Sequence, residues 1–117
     1  MYHGKGKEQC WDKSTYTGFF VNGIKSGYGV LTSPEGGTYK GQFANNQLNG
    51  RGIYFWPAGI QYDGMWVNNK KDGKGHLKWL DGSREYKGAF KDDERHGEGV
   101  YTWDHGTKQY RGQWRNG

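Results

Sequence analysis

The sequence predicts an all-β chain, an antiparallel meander of about ten short strands. Three observations carry that prediction. Tyr-x-Gly-x-aromatic recurs at Tyr16-Gly18-Phe20, Tyr39-Gly41-Phe43, Tyr62-Gly64-Trp66, Tyr86-Gly88-Phe90 and Tyr110-Gly112-Trp114, in steps of 23 or 24 residues, the kind of period that marks a repeat architecture. A Gly-x-Gly follows in phase at Gly27/Gly29, Gly50/Gly52, Gly73/Gly75 and Gly97/Gly99, with a leading copy at Gly4/Gly6. No segment has the apolar i, i+3, i+4 pattern of an amphipathic helix, and 22 glycines in 117 residues argue against one.

Each unit reads as two strands joined by two kinds of turn. The Tyr-x-Gly-x-aromatic strand leads into Asn22-Gly23, Asn45-Asn46, Asn68-Asn69, Asp92-Asp93 or Asn116-Gly117, residues that tolerate the positive φ of a tight hairpin. The Gly-x-Gly strand then runs to a second turn that ends in glycine. In Ser33-Pro34-Glu35-Gly36, proline second and glycine fourth suit a type I turn. The last two units carry one extra residue in that turn (Asp81 to Tyr86, Asp104 to Tyr110), which suggests a bulge there. The units are residues 16–38, 39–61, 62–85 and 86–109, with partial units at 1–15 and 110–117.

Strand alternation then predicts one aromatic face. If Phe20 opposes Gly27, Gly18 meets Gly29 and Tyr16 meets Leu31. The same register sets Phe43 over Gly50 with Tyr39 beside Tyr54, Trp66 over Gly73 with Tyr62 beside Leu77, and Phe90 over Gly97 with Tyr86 beside Tyr101. Trp56, Trp79 and Trp103 fall on that face, and mostly polar residues such as Lys40, Arg51, Asp63 and Lys87 on the other. Glycines remove side chains where a ring lies across the backbone, and the asparagine pair closes the hairpin.

Composition supports the pattern and excludes several function classes. Only 32% of the chain is hydrophobic while 17% is aromatic, so Tyr, Trp and Phe must do most of the burying. No stretch approaches the roughly 18 apolar residues of a membrane span, and the N-terminus lacks the apolar run of a signal peptide. A cytoplasmic protein is expected. Cys10 is the only cysteine, which leaves no disulfide framework and no cysteine metal site. The net charge is +5, but the basic residues are dispersed and Lys70-Lys71 is the longest run. Every glycine belongs to the repeat, so none is left for a phosphate loop.

Taken together, these residues resemble the MORN (membrane occupation and recognition nexus) repeat family, whose unit runs Tyr-x-Gly-x-Trp, a short turn, His-Gly-x-Gly, then Asp-Gly-x-x-Tyr. The stretch Tyr86-Lys87-Gly88-Ala89-Phe90 through Arg95-His96-Gly97-Glu98-Gly99 to Tyr110 carries the likeness most clearly. Lys13 and Ala58 depart from the Asp-Gly turn, and Ser26, Asn49 and Asp72 replace the His. The resemblance implies a single-layer, twisted, open trough-like sheet of about five hairpin repeats; at about 4.8 Å per strand it would span roughly 45 to 50 Å.

Candidate sites follow from the faces. His3 and His96 occupy one repeat position, His76 lies on the polar face and His105 in a turn, while Asp12, Glu35 and Asp81 share a turn position. No converging set points to catalysis, a metal or a cofactor. The core rings serve either packing or contact. Tyr54, Trp56, Trp79, Tyr101 and Trp103 are the protein-binding candidates, for a helix or extended peptide in the trough. Phe19, Phe55 and Met65 are candidates for a contact patch on the second face. An anionic membrane would instead meet Lys70, Lys71, Lys74 and Lys78.

The expected function is a non-enzymatic protein scaffold. The resemblance suggests a cytoskeletal or ciliary assembly, with two alternatives: a module on anionic, phosphoinositide-containing membranes at their inner face, or an accessory region of a larger lipid kinase or SET methyltransferase. Nucleic-acid binding ranks last, because the rings are committed to the repeat. The array begins and stops in mid-unit, so a piece of a longer protein, or end-to-end or homodimer pairing of terminal strands, is also expected.

Overall fold

The computed structural model describes residues 4–9 and 13–115; His3, Cys10, Asp12 and the Asn116-Gly117 turn lie outside them. Ten strands form one sheet: β1 (Gly4–Gln9), β2 (Thr15–Val21), β3 (Ile24–Thr32), β4 (Thr38–Ala44), β5 (Gln47–Trp56), β6 (Ile60–Val67), β7 (Lys70–Trp79), β8 (Glu85–Lys91), β9 (Glu94–Trp103) and β10 (Lys108–Trp114). Every strand pairs antiparallel with its sequence neighbour, in the order β1 to β10. The sheet is open and 51 Å long.

The first turns form as the sequence demands. Both central residues have positive φ at Asn22-Gly23 (53° and 76°), Asn45-Asn46 (51° and 67°), Asn68-Asn69 (49° and 69°) and Asp92-Asp93 (48° and 71°), the hand that matches strand twist. The second asparagine or aspartate also grips the preceding unit. Asn46 Oδ1 accepts from Lys25 N at 2.8 Å while Asn46 N donates to Lys25 O at 3.1 Å. Asn69 treats Leu48 in the same way, and Asp93 treats Lys71. Neighbouring hairpins are therefore stitched at their tips.

One part of the expected register is corrected. Tyr16 does oppose Leu31, and Gly18 does oppose Gly29, but Phe20 opposes Lys25 and not Gly27. Phe43 likewise opposes Leu48, Trp66 opposes Lys71 and Phe90 opposes Arg95. The register shifts after the glycine pair in each of these hairpins, because Gly27, Gly50, Gly73 and Gly97 adopt φ of 76°, 99°, 100° and 74°. Positive φ at a glycine is the signature of a bulge in the second strand. Each of these glycines still meets an aromatic residue, but that of the next unit: Phe43, Trp66, Phe90 and Trp114.

The extra residue of the last two units does not make a bulge. Between β7 and β8, and between β9 and β10, the ladder is unbroken, so the loop absorbs it. A hydrogen bond from Gly36 N to Ser33 O (3.0 Å) closes the first of these turns. The fourth departs from type I, since Asp104 and His105 take φ of 55° and 54°, a region that Asp and His enter more readily than most residues.

The core is a zigzag of rings on one face. Tyr16, Tyr39, Tyr62 and Tyr86 are wholly buried, each lying over a glycine pair and donating its hydroxyl to the carbonyl three residues on: Phe19, Gln42, Met65 and Ala89. Tyr16 meets Phe20 edge-on at 5.1 Å and Phe43 of the next unit at 5.0 Å; Tyr39 does the same with Phe43 and Trp66, at 5.2 and 5.6 Å. Edge-to-face pairs at these distances contribute about 0.5–1.5 kcal/mol each beyond burial. The ladder continues through Tyr62, Phe90 and Tyr86 to Trp114.

Two predictions follow from this packing. A Cβ on Gly52 would enter the Tyr39 ring, whereas one on Gly59 would meet nothing within 4 Å. Gly52→Ala should therefore lose about 3 kcal/mol or more in denaturant unfolding, and Gly59→Ala only the roughly 1–2 kcal/mol of its left-handed φ. Burial, partly offset by the hydrogen bond to Gln42, raises the Tyr39 pKa from 10.0 to about 12, and burial raises Tyr16, Tyr62 and Tyr86 as well. A raised folded pKa stabilises fully below the unfolded value and is lost as pH climbs through the folded one. Absorbance at tyrosinate wavelengths should show these four phenols ionising above the ordinary tyrosine value of 10.0, with stability of the sheet falling as the pH climbs past it.

Candidate functional site

Beside the buried ladder, a second set of rings stays half-buried on the same face. Tyr54 and Trp56 stack at 4.5 Å, and Tyr54 lies 6.0 Å from core Trp66. Tyr101 lies 5.6 Å from Trp103 and 5.9 Å from Trp114. Trp79 is covered on one side by the Arg84 guanidinium, 4.8 Å from the ring centre. All five protein-binding candidates thus occupy one face, while the ladder of Tyr, Phe and Trp66 residues is the core itself. An open hollow of about 550 Å³ lies among Tyr101, Trp103, Tyr110, Trp114 and Arg84, and a smaller one of about 330 Å³ among Leu77, Trp79, Arg84 and Arg95.

The bulge adds a feature that simple alternation misses. It turns Lys25, Lys71 and Arg95 onto the aromatic face. Lys71 Nζ sits 5.4 Å from the Trp56 ring centre, 5.9 Å from that of Tyr62 and 3.5 Å from Asp93 Oδ1. The Arg95 guanidinium lies 4.5 Å from Trp114 and 5.1 Å from Tyr101. Lys25 Nζ lies 5.5 Å from Tyr16 and 3.5 Å from Glu8. Cations over ring faces are attracted by the ring quadrupole. The signal available in the sequence was the shared spacing of these residues after each hairpin turn.

The membrane lysines do not form one patch. The Lys71 side chain is only 15% exposed and engaged on the aromatic face, whereas Lys74 and Lys78 project from the opposite face and Lys70 pairs with Val67 there. The second-face apolar candidates are also separated. Phe55 opposes Gln61 while Met65 opposes Arg51, four residues along β6, and Phe19 lies three strands from Phe55 and four from Met65. Val21, Ile24 and Tyr28, not singled out from the sequence, are exposed beside Phe19.

Titratable groups on that second face pair with one another across and along the strands. His76 Nε2 is 2.8 Å from Glu85 Oε1, Lys87 Nζ is 3.6 Å from the same oxygen, and Arg51 forks onto Asp63 at 3.2 Å. Among the described residues no three His, Cys, Asp or Glu side chains are grouped as a metal ion would require. Turn residue Asp81 is held below the usual carboxylate range by hydrogen bonds from Ser83.

Structural and candidate rings should separate on mutation. Trp66 is 4% exposed and donates Nε1 to Gly52 O at 3.2 Å, so Trp66→Ala should cost about 3–5 kcal/mol. Trp79→Ala, at a half-buried ring, should cost about 1 kcal/mol in the same unfolding assay.

Among known families, the model for the MORN repeat matches residues 16–38, 39–61, 62–84, 86–108 and 110–117. No curated protein matches the chain.

Proposed function

Since the chain belongs to the MORN repeat family, a non-catalytic repeat fold that generally binds proteins or membranes, we propose that it is a protein-interaction scaffold whose aromatic trough receives a helix or an extended peptide. The observation that carries this reading is the row of half-buried rings, Tyr54, Trp56, Trp79, Tyr101 and Trp103, which flank the fully buried ladder and leave part of each ring exposed on one face. Core rings are spent on the fold, whereas partly exposed Trp and Tyr with Arg between them are the residue types that dominate protein interfaces.

A membrane role draws less support. Its four lysines are divided between faces, and one is neutralised by Asp93. A cytoskeletal or ciliary setting, or service to a larger kinase or methyltransferase, rests on what similar arrays do elsewhere.

Affinity capture on the immobilised chain at low and high salt tests the scaffold, with anionic vesicle sedimentation in parallel. A partner retained at high salt should be released by the Trp56→Ala, Trp79→Ala, Trp103→Ala triple variant, shown by circular dichroism to be folded. Retention by that variant, or salt-sensitive vesicle binding with no retained protein, contradicts the reading.

A further inference from the structure

The exposed apolar side chains of this protein are concentrated on the face away from the trough. Four of the exposed large apolar residues, Phe19 (46%), Val21 (50%), Ile24 (37%) and Tyr28 (51%), lie together in the β2–β3 hairpin, while Met65 and Val67 are exposed on the same outer face in β6. The four also share a face. Val21 and Ile24 are paired in register, Phe19 is two residues along the same strand, and Tyr28 alternates with Gly29, whose α-carbon lies under the Tyr16 ring on the trough side. None of the four belongs to the aromatic core.

The charge around them has one sign. Lys5 opposes Phe19, Lys7 opposes Thr17 and Lys40 opposes Val30, all on this outer face, and the next cation along it, Arg51, is paired with Asp63. Among the described residues, the one carboxylate carried by the strands β1–β5 themselves is Glu8, which lies on the trough side, 3.5 Å from Lys25, and Glu35 sits in the β3–β4 turn.

We propose that the outer face of β1–β4 is a second docking surface, which takes a helix whose apolar stripe is flanked by carboxylates. An unpartnered apolar sheet face is most readily covered by a helix, since β2 and β3 are already paired on both edges and no strand can be added there. Four strands span about 14 Å, the length of roughly ten helical residues. Carboxylates beside the stripe would meet Lys7 and Lys40. A flat anionic bilayer fits less well, because the same face presents Asp63, Glu85 and Glu98 from β6 onward. This surface does not depend on the trough, so the protein would hold two partners, one on each side of a single layer.

Two synthetic helical peptides with one leucine stripe, flanked by Glu in the first and Lys in the second, test the proposal by NMR titration of the ¹⁵N-labelled protein. The Glu-flanked peptide should shift the amides of Phe19, Val21, Ile24 and Tyr28, and bind at least tenfold more tightly than the Lys-flanked one. Val21→Glu with Tyr28→Glu should weaken it at least tenfold while leaving thermal unfolding unchanged, and Lys7→Glu with Lys40→Glu should reverse the peptide preference. The triple tryptophan variant should bind it normally, which separates this surface from the trough. Equal affinity for both peptides, or shifts confined to trough residues, would overturn the proposal. So would patch-dependent binding to phosphatidylserine vesicles in place of the peptide, or self-association abolished by Val21→Glu.

Discussion

A tyrosine ring lying flat across two paired glycines is the contact on which the rest of the structure depends. The sheet has no second layer, so its rings must find cover within the sheet. They do so only because Gly18 and Gly29, and their counterparts in each unit, leave the backbone bare enough for the ring to rest on it. The hydroxyl then reaches a carbonyl three residues on, so the polar end of a buried side chain is satisfied as its burial requires. Burial of Tyr16, Tyr39, Tyr62 and Tyr86 and their raised pKa values are two consequences of the same packing.

That contact also couples the units. Each tyrosine lies between the aromatic residue of its own hairpin and that of the next, and the Asn or Asp at each hairpin tip hydrogen-bonds the backbone of the unit before it. Stability in such an array is a sum of near-neighbour terms, so a lesion at one glycine pair falls mainly on two units. The bulge at Gly27, Gly50, Gly73 and Gly97 serves both faces: it brings a cation or Leu48 beneath the ladder and offers each glycine to the next unit's ring.

A single layer leaves both faces open to partners, which a sandwich or barrel would not. On the trough side, the rings are accompanied by cations, Lys25 and Lys71 and then Arg84 and Arg95. On the other, Phe19, Val21, Ile24 and Tyr28 gather with lysines at β1–β4, while the hydrogen-bonded His76–Glu85 pair and the Arg51–Asp63 ion pair occupy the middle beside Met65 and Val67. The two faces therefore differ in chemistry as well as in shape, and selection of a partner can differ between them.

The sequence by itself determined the fold class, the number of strands, the hairpin turns and the membership of the aromatic face. Each follows from local rules: residue type at a turn, alternation along a strand and the period of the repeat. Phe20, Phe43, Trp66 and Phe90 were legible as face residues from their place after the Tyr-x-Gly pair. Their cross-strand partners were not, because a bulge changes register without changing spacing, and a glycine at positive φ looks the same in sequence as one that is merely small. Only the tertiary structure decided that Lys71 leaves the other lysines to stack on Trp56, that Phe55 and Met65 stay apart, and that Val21, Ile24 and Tyr28 join Phe19. Those outcomes depend on which strand lies beside which residue, and pairing across a bulged ladder is settled in three dimensions.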